Sequence, residues 1–184
     1  SNPGEGSIIV AAGEKSISIP VKVSKPGYFD DVNDGDWYYQ AAQYVAEAEL
    51  MSGTADRTFS PNMNMTRAMV VAVLHRMSGS PTANISSSFS DVNQGDWYYN
   101  AVCWANQNGI VEGYDGKFVP DGNVTREQLA TILWRYSSSP DYVYDLSSFT
   151  DSASISEWAV PAMKWAVGSG KISGVGANTL APSG

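Results

Sequence analysis

The sequence says the same thing three times, and that limits the fold more than any single residue does. Phe29, Phe89 and Phe149 stand 60 residues apart, each with an aspartate two positions on: Asp31, Asp91 and Asp151. Trp37 and Trp97 keep the same interval, and Trp158 follows at 61. Next come "ELMSG", "GIVEG" and "KISG", ending at Gly53, Gly113 and Gly174, then "FSP", "FVP" and "LAP", ending at Pro61, Pro120 and Pro182. Finally "MTRAM" (Met65–Met69) answers "VTREQ" (Val124–Gln128). Landmarks in one fixed order mark a repeat protein, in which each copy is one supersecondary unit that buries its apolar face against a neighbour.

Each copy reads as helix, loop, helix. Asp36 and Asp96 precede the runs "WYYQAAQYVAEAEL" and "WYYNAVCWANQN", where their carboxylates are placed to cap free N–H groups. Ala41, Tyr44, Val45 and Ala48 share one face of the first run; Ala101, Trp104 and Ala105 share one face of the second. We expect these helices to stop near Gly53 and Gly109, where a left-handed residue carries no Cβ penalty. Thr125 with Gln128 has the spacing of a capping box, and Thr66 caps in the same way, with Met69 removing the reciprocal half. Val70, Val73, Leu74, Leu129, Ile132 and Leu133 supply the inward faces of the second helices.

The acidic stretches "DVNDGDWYY" and "DVNQGDWYY" invite a calcium reading, which the spacing rejects. An EF-hand loop needs oxygen ligands at positions 1, 3 and 5, glycine at 6 and glutamate at 12. Counting from Asp30 puts Val32 at 3 and Ala41 at 12; counting from Asp31 puts Gly35 at 5 and Ala42 at 12. The stretch is a helix entry. No metal and no cofactor is expected.

The order Phe-x-Asp, Trp, Ala, Gly-Ile-x-x-Gly, Phe-x-Pro and Thr-Arg resembles the S-layer homology (SLH) module from Phe29 to Gly184. The resemblance implies a mainly α protein in which helix-loop-helix repeats form a pseudo-threefold assembly, a central helical bundle with outward prongs. It divides the chain into an N-terminal β segment or linker (1–27), repeats at 28–80 and 88–140, and a truncated third repeat at 148–184. It implies grooves between repeats that take a secondary cell-wall polysaccharide, an anionic polymer often carrying pyruvylated N-acetylmannosamine. The protein would then be anchored non-covalently at the outer surface of a bacterium. Two positions depart from the pattern: the third copy has no counterpart of Arg67 or Arg126, and Met69 stands where the family has an acidic or amide residue.

The candidate ligand-binding residues follow. Arg67 and Arg126 open helices, where a cation opposes the helix dipole at a cost of roughly 0.3–1 kcal/mol. A guanidinium added to a helix N-terminus suits a carboxylate; the competing role is an ion pair with Asp31 or Asp91 that only ties repeats together, and the resemblance favours binding. Trp37, Trp97 and Trp158 offer flat faces to sugar C–H groups, or else anchor the helix entries in the core. Asp31 and Asp91 either accept sugar hydroxyls or satisfy backbone N–H groups. Gly53 and Gly113 either let bare backbone approach a ligand or simply stop helices.

Other features narrow the function by exclusion. A net charge of −8 and a pI near 4.4 do not fit nucleic acid, whose binding needs clustered Lys and Arg. No 18 apolar residues run together, so no membrane insertion is expected. His75 lies among apolar residues, and Cys103, aligned with Gln43, reads as a small semi-buried side chain. No hydrolase, zinc-protease or phosphate-loop motif occurs, so the chain is read as non-catalytic. The start, "SNPGEGSIIV", has no signal-peptide pattern and is expected to belong to a larger precursor. "KSISIPVKV" alternates as a strand, with a hairpin turn near Gly13-Glu14 and an end at Pro26-Gly27. Two rival functions remain open: an assembly module contacting other surface-layer proteins, and the targeting piece of a wall-acting enzyme.

Overall fold

The computed structural model describes residues 4–12, 15–23, 27–176 and 178–184, the first two segments as backbone. The chain is mainly helical. Strands β1 (Gly4–Ala12) and β2 (Lys15–Val23) are followed by helices α1 (Tyr39–Glu47), α2 (Arg67–Met77), α3 (Tyr99–Gln107), α4 (Arg126–Tyr136) and α5 (Val160–Gly168). β1 and β2 pair antiparallel, Gly4 opposite Val23 and Ala12 opposite Lys15. The strand expected from "KSISIPVKV" is therefore present, while its expected turn at Gly13-Glu14 and Pro26 lie outside the described residues. No helix among the described residues is long and apolar enough to cross a membrane.

The chain forms two compact units, one ending at Asn62 and one running from Met63 to Gly184. In the first, Phe29, Val32 and Ala42 make a small core, with Phe59 packed on Phe29 at a ring separation of 4.9 Å. The expected inward face of α1 needs correcting: Ala42 is the buried residue, whereas Ala41, Tyr44 and Ala48 are exposed and Val45 is half-buried. The reason is partnership. The described residues of this unit form no second helix, so α1 buries only the stripe that meets Phe29 and Val32.

In the second unit each Thr-Arg helix packs on the first helix of the copy that follows it, α2 on α3 and α4 on α5. Covered in this way, α3 buries five consecutive residues, Ala101 to Ala105, and Cys103 is fully buried rather than semi-buried. Val71, Leu74, Val102, Val111 and Phe118 centre one core; Ala130, Met163, Ala166 and Leu180 centre another. α4 joins them, giving Ile132 to the first and Ala130 to the second. His75 packs 5.3 Å from the Trp104 ring and its Nε2 donates to the Pro81 carbonyl at 2.9 Å. Trp134, one copy on, donates to the Pro140 carbonyl at the same distance. Both side chains tie a spacer back onto a helix end, so His75 is a packing residue.

The helix starts divide into two kinds. Thr66 and Thr125 cap as expected, accepting from Met69 and Gln128 N–H at 3.3 Å, and the Thr125–Gln128 box is complete. Asp36 and Asp96 do not cap: their carboxylates reach backwards to Asn33 and Asn93 N–H at 2.7 Å, and the helices begin only at Tyr39 and Tyr99. One carboxylate oxygen of each aspartate closes the preceding turn, and neither helix start has a side-chain cap hydrogen bond. At the other end, α1 stops at Glu47 with Glu49 in the left-handed position (φ 56°), not at Gly53. Gly109 (φ 65°) holds that position after α3, as expected.

Candidate ligand-binding groove

The second unit stitches its copies together at two seams, and both are built alike. Asp91 accepts from Phe118 and Val119 N–H, each at 2.8 Å; Asp151 accepts from Leu180 and Ala181 N–H at 2.8 and 2.7 Å. In the first unit Asp31 takes Phe59 and Ser60 N–H at 2.8 Å. These bonds hold Ser60, Val119 and Ala181 at φ values of 59°, 58° and 48°, a region that non-glycine residues avoid, β-branched valine most of all. The three carboxyl groups lie below the ordinary carboxylate range. For Asp31 and Asp151 the donated backbone N–H bonds are the leading cause; for Asp91 burial pushes upward and the bonds from Phe118 and Val119 outweigh it. Asp31 and Asp91 thus spend their oxygens on backbone.

The turn so formed caps the next Thr-Arg helix. Arg67 and Ala68 N–H donate to the carbonyls of Gly122 and Pro120 at 2.9 and 3.0 Å; Arg126 and Glu127 N–H donate to Gly184 and Pro182 at 3.0 and 2.9 Å. With the threonine caps, the first three N–H groups of α2 and of α4 are all engaged. A helix N-terminus whose donors are engaged is no anion site, and that part of the sequence reading is corrected.

The arginines are stitches too. Arg67 Nε donates to the Phe118 carbonyl at 2.8 Å and Nη2 to the Glu112 carbonyl at 3.0 Å, with the guanidinium 4.7 Å above the Phe118 ring. Arg126 repeats the pattern on the Leu180 and Ser173 carbonyls at 2.7 and 2.5 Å. Neither pairs with Asp91, which gives its oxygens to Phe118 and Val119 N–H. Both remain half-buried rather than sealed; burial lowers the Arg67 pKa from its ordinary value while the Asp91 charge opposes it. An arginine has five N–H donors, so a guanidinium holding two carbonyls keeps others for a ligand.

Arg67 opens onto a groove of about 590 Å³, within the size range of small-molecule sites. Lys117, Gln128, Arg135, Glu112 and Trp158 line it with Arg67, and Gly113 and Tyr114 form part of its wall. Three cations therefore meet one carboxylate in a chain of net charge −8. Arg135 Nη2 donates to Glu112 Oε2 at 3.0 Å.

Of the nine residues named from the sequence, the structure brings Arg67, Trp158 and Gly113 to this groove. Arg126 lies at the other seam. Trp97 and Trp37 are 63% and 92% exposed, standing edge-on to Tyr98 and to its first-copy counterpart Tyr38 at 5.2 and 5.4 Å, so neither anchors a core. Gly113 is required by packing: a Cβ there would come within 2.4 Å of Phe89 and 2.5 Å of the Lys117 carbonyl. Gly53 has the same duty in the first unit, 2.3 Å from the Thr58 carbonyl. Lys117 and Arg135 were missed. Arg135 could have been found, because Arg76 holds the same place in α2; Lys117 could not, since threonine stands at its counterparts, Thr58 and Thr179.

Tandem helix-loop-helix copies clasped through an arginine at each seam of the second unit define a repeat protein. The chain belongs to the S-layer homology domain family, whose model matches residues 28–68, 88–130 and 148–184. It is 34% identical over 161 residues to an amylopullulanase of Thermoanaerobacterium thermosulfurigenes, covering 85% of this chain and 8% of that protein. The same identity and span relate it to exoglucanase XynX of Acetivibrio thermocellus, covering 15% of that protein. A surface-layer 125 kDa protein of Lysinibacillus sphaericus is 31% identical over 160 residues, with 86% of this chain and 13% of that protein covered. The chain thus spans less than a sixth of each of these relatives, and its family is that of bacterial surface-layer and cell-surface proteins.

Proposed function

We propose that this chain is a non-catalytic module that anchors a larger protein to the bacterial cell wall by holding an acidic secondary wall polysaccharide in the Arg67 groove. The observation that carries this reading is the convergence of Arg67, Lys117 and Arg135 beside the half-exposed Trp158, on a molecule otherwise strongly negative. An acidic chain repels acidic polymers, so a local cluster of cations is what such a ligand needs. A pyruvate ketal on N-acetylmannosamine supplies a carboxylate for these donors and C–H faces for the indole. Relatives named as enzymes support a role as the targeting part of a wall-acting protein whose chemistry lies elsewhere. The relative named as a surface-layer protein keeps contact with other surface-layer proteins as the second reading.

Co-sedimentation with purified walls tests this. The chain is expected to pellet with intact walls and to stay in solution when the secondary polymer has been extracted. Undiminished pelleting with extracted walls would favour the assembly reading.

A further inference from the structure

Glu112 is the odd residue of the groove. At its position the first and third copies carry Ser52 and Ser173, and the Ser173 carbonyl receives Arg126 just as the Glu112 carbonyl receives Arg67. The clasp therefore uses only the backbone of this residue, and the loop has no structural need of a carboxylate. Yet the side chain of Glu112 lies across the groove wall to Arg135, 3.0 Å from Nη2. The pair is lopsided: Glu112 is 72% exposed, whereas Arg135 is 28% exposed and held by its helix. The exposed half is the anion and the more buried half is the cation.

Resting on the reading of the groove as an acidic-glycan site, we infer that Glu112 is its affinity-determining residue: its carboxylate occupies on Arg135 the place that the carboxylate of the ligand takes in the complex. Binding is then an exchange. The bond from Arg135 Nη2 to Glu112 Oε2 breaks, Arg135 donates to the ligand carboxylate, and Glu112 swings into solvent, where its exposure shows it has room. A neutral sugar hydroxyl cannot displace a charged partner from a guanidinium, so Arg135 answers only to an acidic ligand. Exposed ion pairs are weak, so releasing Glu112 in advance should tighten binding about two- to fivefold and no more.

The test is a binding titration of the whole chain at physiological salt with two probes: soluble wall polysaccharide carrying pyruvate ketals, and the same polymer after mild-acid removal of the ketals. Glu112→Ser installs the residue of the sister copies and is expected to leave thermal stability unchanged. It should tighten binding of the ketal-bearing polymer about two- to fivefold, and the gain should vanish in an Arg135→Gln background. Unchanged or weaker binding by Glu112→Ser, while the wild type still prefers the ketal-bearing polymer, overturns the inference and leaves the groove reading standing. A gain that persists in the Arg135→Gln background means that Glu112 acts only through its general field, and also overturns it. Equal binding of both polymers by the wild type removes the groove reading, and the inference with it.

Discussion

The two seams of the second unit share a skeleton and differ in their lining. At each, an aspartate holds a left-handed turn, the turn caps the next helix, and an arginine clasps two loop carbonyls. Around Arg67 stand Glu112, Lys117 and Arg135; at the positions of the first two, the Arg126 seam has Ser173 and Thr179. What repeats is therefore the stitching, and what does not repeat is the charge that a ligand would read. In a tandem array the recurring residues report the fold, and function is better sought where the copies disagree.

The largest expected effect breaks the shared skeleton. Removing Arg67 or Arg126 leaves two loop carbonyls without donors, and at Arg67 also ends the contact with Phe118. Each Arg→Ala variant should lose about 2–3 kcal/mol by chemical denaturation. Only Arg67→Ala should also lose wall-polymer binding; the same binding loss at Arg126→Ala would put a working groove at both seams.

The glycines sharpen the comparison next. A methyl at Gly113 meets Phe89 and the Lys117 carbonyl at 2.4 and 2.5 Å, while at Gly174 it meets the Thr179 carbonyl at 2.9 Å and Phe149 at 3.3 Å. Gly113→Ala should cost about 2–3 kcal/mol and Gly174→Ala about 1 kcal/mol, a difference of several degrees in Tm. Equal costs would show that the two loops are not held alike.

Exchanging the lining comes third. Lys117→Thr, which copies the Arg126 seam, should weaken binding of ketal-bearing polymer by about 1.5 kcal/mol, roughly tenfold, without moving Tm. A shift in Tm equal to that of the arginine variants would make Lys117 structural.

Acid gives the smallest effect. Asp91 and Asp151 lie below the ordinary carboxylate value of about 3.9. Groups depressed by folding stabilise above their unfolded pKa, and that stabilisation is lost as pH falls through the folded value. Stability should be flat above about pH 5 and decline below about pH 4, less steeply in Asp91→Asn. A slope unchanged by that substitution would remove the carboxylate from the turn.

Much of this was legible in the sequence because it is local. The threonine caps, the left-handed Gly109 and the strand at Lys15–Val23 each depend on a few neighbouring residues. Asp91 was legible as an acceptor of backbone N–H groups but not of which ones, and Arg67 as a position but not as a clasp, since their partners, Phe118, Val119 and Glu112, lie tens of residues away. The same long range hid the groove, which gathers Arg67, Lys117, Arg135 and Trp158 from all three copies. Ala41 and Tyr44 misled for a different reason: helical periodicity finds an apolar face without saying whether a partner covers it.

The most direct measurement is a crystal structure of the chain soaked with a pyruvylated N-acetylmannosamine fragment. The account predicts the sugar beside Trp158, its carboxylate on Arg135 and Lys117, and Glu112 turned away. A sugar seated at Arg126 with the Arg67 groove empty would contradict it.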